Sequence, residues 1–131
     1  MKKADSTKEK LKEIKGLYIF YENDIPVYVG ISRKILRRLR NHFVGKSHYQ
    51  ATLVYLMLRD VYDNDEKNDI YRGKRSEFEP FNNGGREEKQ EELINNFEIS
   101  IIPIEDNYEL YLTEVLAACE LKTKWNCFQT H

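Results

Sequence analysis

Two aromatic and β-branched runs around a short polar break constrain this chain most. Leu17-Tyr18-Ile19-Phe20-Tyr21 and Val27-Tyr28-Val29 have strand composition, and Glu22-Asn23-Asp24 between them has turn composition. A β-hairpin over 17–31 is predicted. Pro26 donates no ladder hydrogen bond, so it belongs at a strand start or an edge. The positions of Tyr18 and Tyr28 sharpen the register. Side chains alternate between faces, so a plain two- or four-residue loop pairs Tyr18 with Val29 and sends Tyr28 to the opposite face. The two phenols share a face only if the loop count is odd or a bulge intervenes, and one of these is expected near 21–26.

The rest of the chain reads as helices laid on a small sheet. Ser32 is a candidate N-cap for a helix over 33–43, with apolar residues at 35, 36, 39 and 43. A second helix is predicted over 49–62, with Leu53, Val54, Met57, Leu58 and Val61 as its apolar stripe. Residues 63–92 are polar and read as a long loop or insertion, with Phe78, Pro80 and Phe81 as anchors and a helical end at Arg86–Asn96. FEISIIPI, 97–104, is a buried strand. Asp106 and Glu109 form an Asp variant of the capping box. The helix they open runs to about Lys122, with apolar positions 108, 111, 112, 115, 116 and 119. Trp125 to Phe128 is a candidate C-terminal edge strand. The expected fold is α/β in the α+β sense. A mostly antiparallel three-stranded sheet is flanked by helices, in the order β-β-α-α-β-α with a short C-terminal strand. It occupies 16–128, after a polar arm or helix over 1–15 in which Leu11 and Ile14 dock, and before a tail at 129–131.

With 131 residues, one domain is expected. No apolar run approaches the ~20 residues of a membrane span, and the N-terminal stretch lacks the apolar core of a secretory signal. Cys119 and Cys127 have neither zinc nor disulfide-framework spacing, so they read as reduced thiols and the expected compartment is the cytoplasm.

The formal net charge of −1, from 21 basic and 22 acidic residues, hides an asymmetry. From Ile25 to Arg59 there is no acidic residue, against seven basic ones: Arg33, Lys34, Arg37, Arg38, Arg40, Lys46 and Arg59. The remainder has 14 basic residues against 22 acidic. A concentrated basic face is the footprint of phosphate recognition, although a single basic helix is often only a solvated face. His42 and His48 add donors to the same stretch.

Gly16-Leu17-Tyr18 opens the first strand and Tyr28-Val29-Gly30 closes the second. Arg38 and His42 stand four apart, on one helix face. Glu114 lies in the last helix with apolar neighbours, and Asn126 follows it. Together these residues resemble the GIY-YIG nuclease superfamily, in its order and spacing over about 16–128. The C-terminal stretch is similar to that of its short, stand-alone members. Leu17 stands where the family usually has Ile or Val, Val29 is a common variant, and 63–92 is longer than this group's minimal core.

The resemblance implies metal-dependent hydrolysis of nucleic-acid phosphodiesters. It makes Tyr18, Tyr28, Arg38, His42 and Glu114 the catalytic candidates. Glu114 would hold one Mg²⁺ or Mn²⁺ ion, which acts as a Lewis acid. Arg38 would stabilise charge on the phosphate. Tyr18 would activate or orient the attacking water, with Tyr28 as a hydrogen-bond partner behind it. Arg33, Lys34, Arg37, Arg40, Lys46 and His48 are candidates for positioning nucleic acid, DNA ahead of RNA. Gly16, Gly30 and Asn126 are structural candidates. The competing expectation is an inactive nucleic-acid-binding or protein-interaction module. With no appended zinc finger or helix-turn-helix, specificity would come from the insertion, a homodimer or a partner protein.

Overall fold

A computed structural model of the chain describes residues 12–125. Three strands form one antiparallel sheet: β1 (Gly16–Glu22), β2 (Ile25–Ser32) and β3 (Phe97–Pro103), in the order β2-β1-β3. Among the described residues four α-helices accompany it: α1 (Ile35–Val44), α2 (Thr52–Asp63), α3 (Arg86–Asn96) and α4 (Asn107–Leu121). The fold is the α+β arrangement expected.

The hairpin carries the expected irregularity. Asn23 and Asp24 sit at φ 53° and 66°, the left-handed pair of a two-residue turn, which Asn and Asp tolerate best after glycine. Such a turn alone would put the two tyrosines on opposite faces. The register shifts between Phe20, opposite Tyr28, and Tyr21, opposite Pro26, leaving Val27 as the bulged residue. Tyr18 consequently pairs with Gly30, and Tyr18, Phe20 and Tyr28 share one face, with Phe20 directly opposite Tyr28 and Tyr18 diagonal to it. Pro26 lies near the start of β2, an edge strand.

This face carries the larger core, where Tyr18 and Phe20 meet Ile35 and Leu39 of α1 and Val54 and Met57 of α2. The anchors Phe78 and Phe81 and Leu93 of α3 close it. The other face carries a smaller cluster: Leu17, Ile19 and Val29 against Ile104 and Leu110. Gly16 is fixed by close approach, because a β-carbon there would lie 2.1 Å from the Ile102 carbonyl oxygen.

Both ends of α1 are held by side chains distant in sequence. At its N-terminus the Glu13 carboxylate accepts from Leu36 N at 2.8 Å and Arg37 N at 2.9 Å, where the helix dipole favours a negative charge. Ser32 is therefore not the cap. Its hydroxyl accepts from Lys34 N at 2.9 Å, and α1 begins at Ile35. At the C-terminus, buried Gln90 of α3 donates from Nε2 to the carbonyls of Gly45 at 2.7 Å and His42 at 3.3 Å. Arg86 donates to Gln90 Oε1 at 2.8 Å and holds it in place.

Several sequence expectations need correction. β3, expected as a buried strand, buries only Phe97 and leaves Glu98, Ile102 and Pro103 exposed. The second helix starts at Thr52, because Ser47 to Ala51 form a turn in which Ala51 N donates to the Ser47 carbonyl. Val61 of its predicted stripe is exposed. In α4, Asp106 caps as expected, accepting from Glu109 N at 2.8 Å, but the helix buries Leu110 and Ala118 and turns Tyr108, Tyr111, Leu112, Val115, Leu116 and Cys119 outward. Ala117 and Ala118 are small enough for that side to lie close to the sheet.

Trp125 donates its backbone N–H to the Val27 carbonyl at 3.0 Å and stacks on Phe97, and Ile14 joins the larger core. The other residues of the expected C-terminal strand, including Asn126, lie outside the described residues, as does Leu11 of the arm. Among the described residues no helix is long and apolar enough to cross a membrane.

Candidate active site

The bulge and α1 build the site from opposite sides. Tyr18 and Tyr28 come from the sheet, with ring centroids 6.4 Å apart. Arg38 and His42 come from α1, one turn apart. The His42 ring lies 5.6 Å from Tyr18 and 5.7 Å from Tyr28, and its Nε2 is 2.9 Å from the Tyr18 hydroxyl. Gly30 makes room for this arrangement, since a β-carbon there would lie 2.3 Å from the Tyr18 Cζ and hydroxyl oxygen.

Arg38 is held by the turn that follows α1. Nη1 donates to the carbonyls of Tyr49 and Gln50 at 3.1 and 3.2 Å, and Nη2 donates to the Thr52 hydroxyl at 3.0 Å. These bonds fix the plane of a guanidinium that stays charged at any physiological pH. The charge of the same group acts on both phenols and opposes the rise of each.

Burial dominates the electrostatics. It raises the Tyr18 hydroxyl well above the usual phenol range; the neighbouring Tyr28 and Glu114 push the same way and Arg38 opposes them. Tyr28 is also raised, first by burial and then by Glu114, against Arg38 and Arg75. His42 is pulled down to about 3 by burial, with Arg38 adding to the effect. At neutral pH the site therefore holds two phenols and a neutral imidazole. His42 Nδ1 is buried and has no hydrogen-bond partner among the described residues. A buried N–H left without an acceptor is rarer than an unused lone pair, so the ring proton belongs on Nε2, donating to the Tyr18 oxygen.

Glu114 is partly buried on α4 and acts electrostatically on both phenols. No group of three or more His, Cys, Asp or Glu stands together among the described residues, so there is no all-protein metal cage there. A single hard carboxylate near phenol oxygens fits Mg²⁺, which keeps most of its waters and takes one or two carboxylates.

The nucleic-acid candidates separate. Arg33, Lys34 and Arg37 line one shallow cavity of about 300 Å³ with Arg38 and Asn41, so Arg37 shares the Arg38 side of the helix. Arg40 and Lys46 are exposed but do not line it. His48 packs beside Tyr49 and Tyr55 with its Nδ1 buried, and burial, with Arg75 adding to it, lowers its pKa. Arg59, counted in the basic stretch, serves the insertion instead. It pairs with Asp63, donates to the Tyr55 hydroxyl and lies over the Tyr71 and Phe78 rings.

Sequence reasoning missed Arg75. The insertion carries it over the Tyr55 ring, 4.3 Å from the centroid, and within electrostatic reach of Tyr28. No spacing rule marks it, because the segment between α2 and α3 carries it there.

The family model of the GIY-YIG catalytic domain matches residues 14–109, a stretch that includes Tyr18, Tyr28, Arg38 and His42 and ends before Glu114. No curated protein sequence matches significantly. Among solved structures, the chain is similar to the GIY-YIG N-terminal endonuclease domain of UvrC from Thermotoga maritima bound to its catalytic divalent cation, magnesium. The identity is 17%, covering 97% of this chain and 99% of that chain, with a TM-score of 0.47. A point mutant of that domain, also bound to its catalytic divalent cation, is 16% identical over 97% and 98%, with a TM-score of 0.48. By the family match over 14–109, the chain belongs to the GIY-YIG catalytic-domain family.

Proposed function

We propose that the chain is a metal-dependent endonuclease hydrolysing nucleic-acid phosphodiesters, DNA ahead of RNA. The observation that carries this reading is the convergence of Tyr18, Tyr28, Arg38 and His42, with Glu114 acting on both phenols. The cavity lined by Arg33, Lys34 and Arg37 supports a phosphate backbone leading to Arg38.

Each residue has a role that follows from its surroundings. Arg38, fixed by two carbonyls and a hydroxyl, is prepared to stabilise charge developing on the scissile phosphate. Tyr18 accepts from His42 Nε2, which leaves its own O–H to orient the attacking water. Raised as it is by burial and by Glu114, it is a phenol and not a ready base. A cation held by Glu114 would remove one of the charges that oppose its ionisation. Glu114 would hold one Mg²⁺ or Mn²⁺, which supplies Lewis-acid stabilisation of the phosphate or leaving oxygen. Arg75 adds a cation on the Tyr28 side.

The test is incubation with plasmid, single-stranded DNA and structured RNA, with Mg²⁺, Mn²⁺ or EDTA, beside Glu114→Ala. Cleavage that requires the metal and the carboxylate is expected. No cleavage of any substrate with either metal overturns the enzyme reading and leaves the basic cavity as a binding surface.

A further inference from the structure

Helix α4 is apolar on both sides. Toward the sheet it buries Leu110 and Ala118, with Ala117 packed beside them. Away from the sheet it presents Tyr108 (82% exposed), Tyr111 (55%), Leu112 (63%), Val115 (44%) and Leu116 (61%). These positions recur at helical spacing, with exposed Cys119 one turn further on, and the stripe contains no charge. At the sizes of these side chains the five exposures amount to roughly 600 Å² of open surface, at the top of the range for the largest patch on a monomer and near the ~800 Å² that each partner contributes to a standard interface.

We propose that a second copy of this chain covers the stripe, pairing α4 with α4 about a two-fold axis. A two-fold interface sets one patch against itself; the stripe itself carries no charge, and the exposed acids Glu109 and Glu120 lie at its margin. The chain's net charge of −1 adds little repulsion between copies. Pairing through α4 places two Glu114 side chains in one assembly, but the proposal stands independently of nuclease activity.

The experiment uses the full chain, by sedimentation equilibrium from low to high micromolar concentration, beside Leu112→Glu and Leu116→Glu. Both residues point to solvent in the single chain, so the variants keep its fold, and circular dichroism checks this. A wild-type dimer that Leu112→Glu weakens by at least tenfold in Kd is expected. In a Cys127→Ser background, Cys119 alkylation should be slow in the dimer and fast in the Leu112→Glu variant. A monomer at every concentration overturns the proposal, whether Cys119 is protected by the chain's own segments or freely reactive. A dimer indifferent to both glutamates overturns it as well.

Discussion

The two faces of the sheet are built from the same three strands and differ in completeness. On one, Tyr18, Phe20 and Tyr28 lie under α1, with α2 and the insertion anchors closing the core. On the other, Leu17, Ile19 and Val29 meet mainly α4, which packs against β2 and β1 and leaves Ile102 of β3 45% exposed. The first face spends its alternating positions on polar aromatics and surrounds them with fixed partners. The second is aliphatic and thinly covered. Buried polar groups need partners, so the candidate site arises on the face with enough packed structure to supply them.

The comparison is breakable. Phe20 is fully buried among Tyr18, Tyr28, His42 and Phe43. Phe20→Ala is expected to cost about 3–5 kcal/mol in denaturant unfolding, whereas Tyr108→Ala on the outer side of α4 should leave the isolated chain nearly unchanged. Equal costs would contradict the asymmetry.

Gly30→Ala comes next. Its β-carbon meets the Tyr18 ring, and overpacking of this kind costs about 1–3 kcal/mol. Activity should fall further than stability, because the displaced group is the Tyr18 hydroxyl. An active Gly30→Ala enzyme would separate that hydroxyl from the chemistry.

Gln90→Ala removes the clamp on the end of α1, leaving the Gly45 and His42 carbonyls short of a donor. A loss of about 1–3 kcal/mol is expected in thermal or denaturant unfolding, and little or no loss would show that the insertion does not hold the helix.

The last effect is a slope, which accumulates with pH. His42 titrates near 6.5 when unfolded and at about 3 when folded, so the unfolded chain binds the extra proton between these values. Its contribution to stability is present above pH 6.5 and is lost as pH falls toward 3, by at most about 1.4 kcal/mol per pH unit. His48, also depressed by burial, adds in the same direction. His42→Gln should flatten the curve, and an unchanged curve would mean that His42 is not buried as a neutral ring.

Most readings that rested on local chemistry match the structure; the Ser32 cap and the start of the second helix at 49 do not. Strand composition marked β1, β2 and β3, the parity of the Tyr18–Tyr28 spacing called for an odd loop or a bulge near 21–26, which the structure supplies as a shift at Phe20/Tyr21 with Val27 bulged, and the helical end at Arg86–Asn96 was visible in the insertion. What failed depended on contacts across the chain. Glu13 caps α1 from more than twenty residues away, and Gln90 closes its other end from more than forty. Basic residues with no acids nearby looked alike in sequence. Packing then divided them, with Arg37 and Arg38 on one cavity, Arg59 on aromatic rings and His48 buried. The α4 stripe failed for a different reason. Periodicity reports which residues avoid water, not which neighbour covers them, and on α4 two apolar sides compete for one sheet.

The central claim is that a fixed Arg38 stabilises the reacting phosphate in a metal-dependent site. Single-turnover cleavage with Mg²⁺, measured beside substrate binding in Ca²⁺ or EDTA, tests it most directly on Arg38→Ala. A rate lower by ~10²–10³, with most of the affinity retained, is the predicted result. Unchanged cleavage, or a loss confined to affinity, would contradict it.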